Sequence, residues 1–229
     1  MTARLIAIRH GQSTSNVRRI ATSRLDGYPL TDVGRAQAAE VGERLVGRDV
    51  EHVYASRIQR ARETAGIIAD SIAAPLTLLA GLEEVDVGIH EGRSEGAVQT
   101  NALANFERWL SRGDLDHGFE GGETALQAMA RTSSVLIDIV RRHPDGTVVV
   151  VSHGGVLALA LINLCRNVTP GFVFGHLLDN CAVVEVDADA DGDGDGAANA
   201  HHGRPGWACV DWAGVMPLRR PGNQRPLTA

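Results

Sequence analysis

Two apolar runs of strand length lie near opposite ends of the chain, and each stops at a histidine followed at once by glycine. They are LIAIRHGQSTSN at 5–16 and VVVVSHGGV at 148–156. Neither run alternates apolar with polar residues, which is the pattern of a strand covered on both faces of a sheet. A residue at the carboxyl end of such a strand enters the crevice where open α/β sheets bind ligands. His10 and His153 are therefore expected to share one site despite their distance in sequence.

Between them the pattern alternates strand with helix. Leu5–Ile8 predicts the first strand, and 12–30 is polar and turn-rich. Thr31 is placed to cap a helix over 32–46, with Val33, Ala36, Val41 and Leu45 near helical spacing and Gly47 as the stop. His52–Ala55 predicts a second strand. Ser56 is then placed to cap the helix RIQRARETAGIIADSIA, which turns Ile58, Ala61, Ala65 and Ile68 inward. Leu76–Leu79 reads as a third strand, and 83–121 lacks strong periodicity apart from a short helical stretch at 101–110. An excursion of that length inside a compact domain is usually functional, often a lid. A long helix from Gly121-Gly122 to Arg142, a strand at Thr147–Val151 and a helix at Val156–Cys165 follow.

This alternation predicts an α/β protein, a three-layer α/β/α sandwich around a mostly parallel sheet. The ending breaks the rhythm: candidate strands Ala182–Val186 and Trp207–Trp212 flank an Asp/Gly-rich insert, which reads as an edge hairpin. One domain is expected over 1–216, with 187–206 a disordered loop and 217–229 a disordered tail. Asp187, Asp189, Asp191 and Gly192 imitate the start of a calcium loop, but the twelfth position is Ala198 where glutamate is required. His201-His202 is likewise read as solvated loop.

Composition narrows the function. The 229 residues carry a net charge of −6, which argues against binding nucleic acid through a basic surface. No apolar run is long enough to span a membrane. The 3 cysteines lack CxxC spacing and read as small buried residues in a reducing, cytoplasmic compartment. Every fixed cation is an arginine, since the chain has no lysine; genome composition explains that better than function does.

Four local patterns then fit together: Arg9-His10-Gly11 with Asn16 beyond it, Ser56 with Arg60 in SRIQRARETA, Glu84 in LEEVDVGIHEG, and Ser152-His153-Gly154. On these residues, and with GGE at 121–123, residues 4–186 resemble the histidine phosphatase superfamily, which includes the cofactor-dependent phosphoglycerate mutases. The resemblance implies a phosphoglycerate mutase-like fold and a phosphohistidine intermediate. It makes His10 the phospho-acceptor and Glu84 the proton donor. Arg9, Arg60 and His153 would bind phosphate, with Asn16 as an additional contact. Gln12, Thr22 and Ser23 are carried over as substrate contacts. The chemistry is coherent in its own right. Phosphoryl transfer needs positioning and charge stabilisation, arginine supplies forked donors, and nearby cations keep an imidazole neutral and nucleophilic.

The alternatives are weighed residue by residue. Arg57 and Arg62 read as the solvated face of a helix. Glu83 competes with Glu84, but its spacing from Gly88 favours Glu84. Thr64 and Ala65 read as helix packing, His90 and His117 as structural, and Glu123 as structural or capping. RHGQSTSN has Ser15 where the family's mutases carry Trp, and EVDVGIHEG lacks their Tyr and Asn-Lys, so a phosphomonoester hydrolase is favoured over a mutase. Thr22-Ser23 replaces the Gln-Gly pair common in family phosphatases, which leaves the leaving group open. The expected partner is a small phosphorylated metabolite, such as a sugar phosphate or phosphoglycerate derivative; an assembly of two copies is left open. No cofactor and no metal is implied, so EDTA-resistant activity is expected. A non-catalytic phosphate-ester-binding module remains the reading from another class.

Overall fold

The computed structural model describes residues 2–94, 104–189 and 206–217. Strands β1 (Thr2–Arg9), β2 (Val50–Ser56), β3 (Leu76–Leu79), β4 (Thr147–Ser152), β5 (Val183–Asp189) and β6 (Ala208–Trp212) form a 6-stranded sheet in the order β3-β2-β4-β1-β5-β6. The first four in that order run parallel, while β5 pairs antiparallel with β1 and β6 antiparallel with β5. The edge hairpin is thus present. The insert between its strands lies outside the described residues at 190–205, and so does the tail at 218–229.

Helices α2 (Asp32–Leu45) and α3 (Gln59–Ile72) cover one face of the sheet; α5 (Ala125–Arg142) and α6 (Gly154–Leu164) cover the other. Ile6, Ile8, Val149 and Val151 pack with Ala38, Val41, Ala65 and Ile68, whereas Leu5, Ala7, Val148 and Val150 pack with Leu136, Ile139, Leu157 and Leu161. Two-sided burial explains why β1 and β4 show no alternation. Each Val, Leu or Ile among them contributes about 1.5–3 kcal/mol relative to exposure.

Several boundaries move for identifiable reasons. Helix α3 starts at Gln59 behind Ile58, and Ser56 stays in β2 with its hydroxyl engaged elsewhere. Helix α5 starts later than expected, because Thr124 and Gln127 form a capping box downstream of the glycine pair. Helix α6 starts earlier, directly after His153. Two short helices were not legible in advance, α1 (Thr14–Arg18) in the polar loop and α7 (Pro170–Gly175), which has proline in its first turn. The excursion contributes a helical stretch, α4 (104–111), and the part of the expected lid at 95–103 lies outside the described residues.

All 3 tryptophans are fully buried, and each indole N–H reaches a backbone carbonyl. Trp109 donates to His117 O and pins the excursion to the core; Trp207 and Trp212 donate to Asp189 O and His176 O and fasten the hairpin. A buried ring with a satisfied polar edge suits segments that lack regular pairing.

Candidate active site

β1 and β4 are neighbours in the sheet, yet the chain leaves β1 toward α2 and leaves β4 into α6 on the opposite face. The departing loops part at the strand ends, which opens a crevice between them. Register sets its floor: Arg9 pairs with Ser152, so His10 and His153 stand side by side one residue further on. Their ring centroids are 5.1 Å apart and both side chains are buried. The two strand-end histidines do converge.

His10 Nδ1 lies 2.8 Å from Gly11 O, and Arg60 Nε–H donates to His10 Nε2 at 3.0 Å. A carbonyl only accepts and a guanidinium only donates, so the proton sits on Nδ1 and the lone pair on Nε2. Burial first, then the charges of Arg60 and Arg9, hold this imidazole well below the usual histidine range. The reading from residue types alone found the cations but not burial, which is the larger cause.

His153 is the N-cap residue of α6, and its Nε2 is 2.9 Å from Ser56 Oγ. That hydroxyl also accepts from Ile58 N–H at 3.2 Å. Ser56 is therefore not the helix cap expected of it but the clamp that orients His153. With the hydroxyl hydrogen directed at Nε2, a neutral His153 carries its proton on Nδ1. Burial, followed by Arg60, His10 and Arg9, keeps it well below the ordinary value.

Arg60 is buried to 4% exposure, unlike the exposed Arg57, which pairs with Glu83 at 2.6 Å. Arg62 pairs with Asp26 at 2.7 Å, so both flanking arginines face outward as expected. Besides His10, Arg60 donates to Thr22 O at 3.1 Å. Burial lowers its pKa to about 10, partly offset by Glu84 and Glu91. Arg60 Nη1 and His153 Nδ1 are buried without a hydrogen-bond partner among the described residues. A buried unsatisfied donor costs about 1–3 kcal/mol, and two beside an unprotonated imidazole make a cradle for an anion. Arg9 adds a third nearby donor group, its Nη1 bonded to Leu178 O at 2.5 Å.

Glu84 reaches the cradle from the loop after β3. Its carboxylate accepts from Gly155 N at 3.1 Å, Val156 N at 3.0 Å and Val85 N at 3.0 Å, which caps the positive end of α6. Oε2 takes only one of these bonds and keeps a lone pair for a proton. A Cβ on Gly155 would stand 2.6 Å from Glu84 Oε1, and one on Gly154 would stand 3.3 Å from Arg9 Cδ. The glycine pair after His153 is what lets both side chains approach.

The remaining candidates serve the frame around this cradle. Asn16 Oδ1 accepts from Ser13 N–H and from Asn180 Nδ2, and Asn180 Nδ2 also donates to His10 O. Gln12 is tied to Thr31 at the head of α2, and Ser23 to Glu91 and Asp86. Thr22 touches Arg60 through its carbonyl. Thr64 does more than pack: its hydroxyl accepts from Gly11 N–H and donates to Arg60 O. Sequence reasoning missed Asn180 and Arg131. Neither leaves a trace in local pattern, since each acts through contacts with distant segments. Among the described residues no cluster of His, Cys, Asp and Glu is arranged to hold a metal ion. No described helix is long and apolar enough to cross a membrane, and Cys165, Cys181 and Cys209 are buried.

Comparison with known proteins gives the same picture. The chain is 31% identical over 184 residues to a probable phosphoglycerate mutase GpmB of Citrobacter koseri, covering 79% of this chain and 82% of that one. Mycobacterial glucosyl-3-phosphoglycerate phosphatase superposes with a TM-score of 0.73 at 24% identity over 93% of this chain and 99% of the other, a likeness of fold. YhfR of Bacillus stearothermophilus superposes with a TM-score of 0.70 at 26% identity, over 82% of this chain and 92% of its own. Residues 5–194 match the profile of branch 1 of the histidine phosphatase superfamily, and the chain belongs to that family.

Proposed function

We propose that this protein is a phosphomonoester hydrolase that works through phosphohistidine at His10 on a small phosphorylated metabolite. The observation that carries the reading is the pair of unengaged buried donors, Arg60 Nη1 and His153 Nδ1, beside an unprotonated His10. A phosphoryl group answers all three at once, its oxygens meeting the two donors and its phosphorus facing the His10 lone pair. Arg9, Arg60 and His153 hold the phosphoryl oxygens, and Asn16 frames the loop that carries His10.

Attack requires the Nε2 lone pair to leave Arg60 Nε–H and meet phosphorus, while the guanidinium turns to a phosphoryl oxygen. The N–P bond forms as the ester P–O bond breaks, and its electron pair stays on the departing oxygen. Glu84, as the acid, gives that oxygen a proton and releases an alcohol. The Glu84 carboxylate then takes a proton from water, whose oxygen attacks phosphorus. The N–P bond breaks with its pair returning to His10, and inorganic phosphate leaves.

The mutase names of the curated relatives support a second reading, phosphoryl transfer between positions of a phosphoglycerate. Hydrolysis is favoured by the loop beside the cradle, which is tied at Ser23 to Glu91 and Asp86. Arg24 stands 3.7 Å from Glu91, so the loop's charge is balanced and poorly suited to a second phosphate. Alkali-quenched reactions with a panel of phosphomonoesters test the choice. Phosphate release with a labelled, base-stable phosphoenzyme supports hydrolysis. Isomerisation of 3-phosphoglycerate with a bisphosphoglycerate primer and little phosphate release would establish the mutase. Tight binding without turnover would establish a binding module.

A further inference from the structure

Arg131 lies on α5, away from the cradle, yet its guanidinium is wrapped around the loop that delivers Glu84. Nη1 donates to Gly81 O at 3.0 Å and Glu83 O at 2.8 Å, and Nη2 donates to Glu84 O at 3.1 Å. Nε and Nη2 also grip Glu123 in a fork, at 2.6 Å to Oε1 and 2.7 Å to Oε2. Glu123 in turn accepts from Asp86 N–H at 3.0 Å. The backbone from 81 to 86 is thus held at four points by one arginine–glutamate pair. From the sheet side, Ser152 Oγ donates to Leu82 O at 2.7 Å.

The target of this clamp is specific. Two of the three carbonyls on Arg131 belong to Glu83 and to Glu84 itself, and the Glu84 carboxylate then has one direction to take, onto the N-terminus of α6. Arg131 has no donor left for a substrate, since every edge of its fork meets a protein acceptor. Lysine has the charge but only a point ammonium on a flexible stem, so it cannot span two carbonyls and a carboxylate. The pair stays ionised: burial pushes Glu123 up, but its bonds to Arg131 and Asp86 N–H together with the Arg131 charge hold it below the usual carboxylate range, and Arg131 is raised against burial by Glu123, Glu84 and Glu83.

We infer that Arg131, held by Glu123, is a positioning residue for Glu84 and sets where the proton meets the leaving oxygen. This rests on Glu84 being the acid of the proposed hydrolysis. A misplaced acid hurts only reactions whose leaving group needs the proton. An alkyl phosphate such as glycerol 2-phosphate releases an alkoxide and needs it; 4-nitrophenyl phosphate releases a stable phenolate and does not.

The experiment measures kcat/KM for both esters in wild type, R131K, E123Q, E84Q and R131K/E84Q. R131K and E123Q are expected to lower the alkyl ester by about tenfold or more and the nitrophenyl ester by less than about threefold. E84Q is expected to show the same bias more strongly, and R131K to add nothing further to the bias in the E84Q background. A purely structural clamp would lower both esters alike and add its effect in the double variant, and that result overturns the inference. If E84Q itself shows no bias, the acid assignment fails first, an outcome distinct from a biased E84Q with an unbiased R131K. E123Q, which keeps shape and Arg131, serves where R131K unfolds.

Discussion

The sheet carries two clusters of aromatic nitrogen, and they differ in one respect that matters. At the carboxyl ends of the parallel strands, His10 and His153 stand with centroids 5.1 Å apart beside Arg9 and Arg60. Away from that crevice, His52 stacks on Tyr54 at 4.4 Å with His143 at 6.1 Å. In the second cluster the hydrogen bonds close on the protein: His52 Nε2 meets Thr77 Oγ1, His143 Nδ1 meets Glu51, and His143 Nε2 meets Tyr54 OH. In the first, His153 Nδ1 and Arg60 Nη1 stay open. Both clusters are histidine-rich, and among the described residues only the first holds fully buried nitrogens left without a partner. Unfilled buried donors, rather than a count of imidazoles, mark the site.

The largest test of that contrast is removal of one imidazole from each cluster. His10→Ala is expected to lower turnover by about 10^4-fold or more and abolish the trapped phosphoenzyme, while His143→Gln changes kcat/KM by less than about threefold in steady-state assays. Near-normal turnover in His10→Ala would break the contrast outright. Next come the open donors: Arg60→Gln or His153→Gln is expected to lower kcat/KM by about 10^2–10^3-fold, the cost of one donor aimed at developing charge. A loss below tenfold in both would mean that those donors do not meet the phosphoryl group.

Protonation sharpens the comparison further. His10 and His153 are held well below 6.5 and His52 below it, while an unfolded chain protonates all three near that value. Between the folded and unfolded values the unfolded chain binds more protons, so stability rises with pH through that window and is complete above about 6.5. The lowered carboxylates Glu123 and Glu185 act only below 4.5, outside this range. Denaturant unfolding should therefore show stability rising between pH 5.0 and about 6.5 with a slope approaching about 1.4 kcal/mol per pH unit for each of His10 and His153, and levelling off by pH 7.5. His10→Gln is expected to flatten it more than His52→Gln does. The acid limb of kcat/KM should lie below 6.5 and move upward in Arg60→Gln, as one source of the lowered pKa is removed; an unmoved limb would leave burial and Arg9 as the causes.

The smallest effect belongs to the closed cluster. Tyr54→Phe removes the partner of His143 Nε2 and is expected to destabilise by about 1 kcal/mol with kcat/KM unchanged. Differential unfolding of the two proteins under the same buffer would measure it. A change in turnover instead would join the two clusters functionally.

Legibility from sequence followed the range of the interaction. β1 and β4 read cleanly because burial on both faces leaves unbroken apolar runs, and the inward set of α3, from Ile58 to Ile68, followed from period alone. Thr31 was read correctly as a cap because its bond to Gly34 N–H is local. Ser56 was misread for the opposite reason: a serine ahead of a helix is a good local cap, but His153, distant in sequence, engages its hydroxyl. Arg60 could be separated from Arg57 and Arg62 only through its place in the motif. In the structure the distinction is burial. Asn180 left no local trace, since its bond to His10 O spans most of the chain.

The sequence by itself determined the alternation of elements, the inventory of imidazoles, arginines and carboxylates, and the strand ends that carry them. Those are properties of nearest neighbours and of period. Only the tertiary structure decided that His10 offers Nε2, that Ser56 turns His153, and that two donors remain open. It also decided that Arg131 grips the Glu84 loop. Each depends on which groups from distant segments exhaust one another's hydrogen-bonding capacity, and that is settled when β1, β4 and α6 pack together.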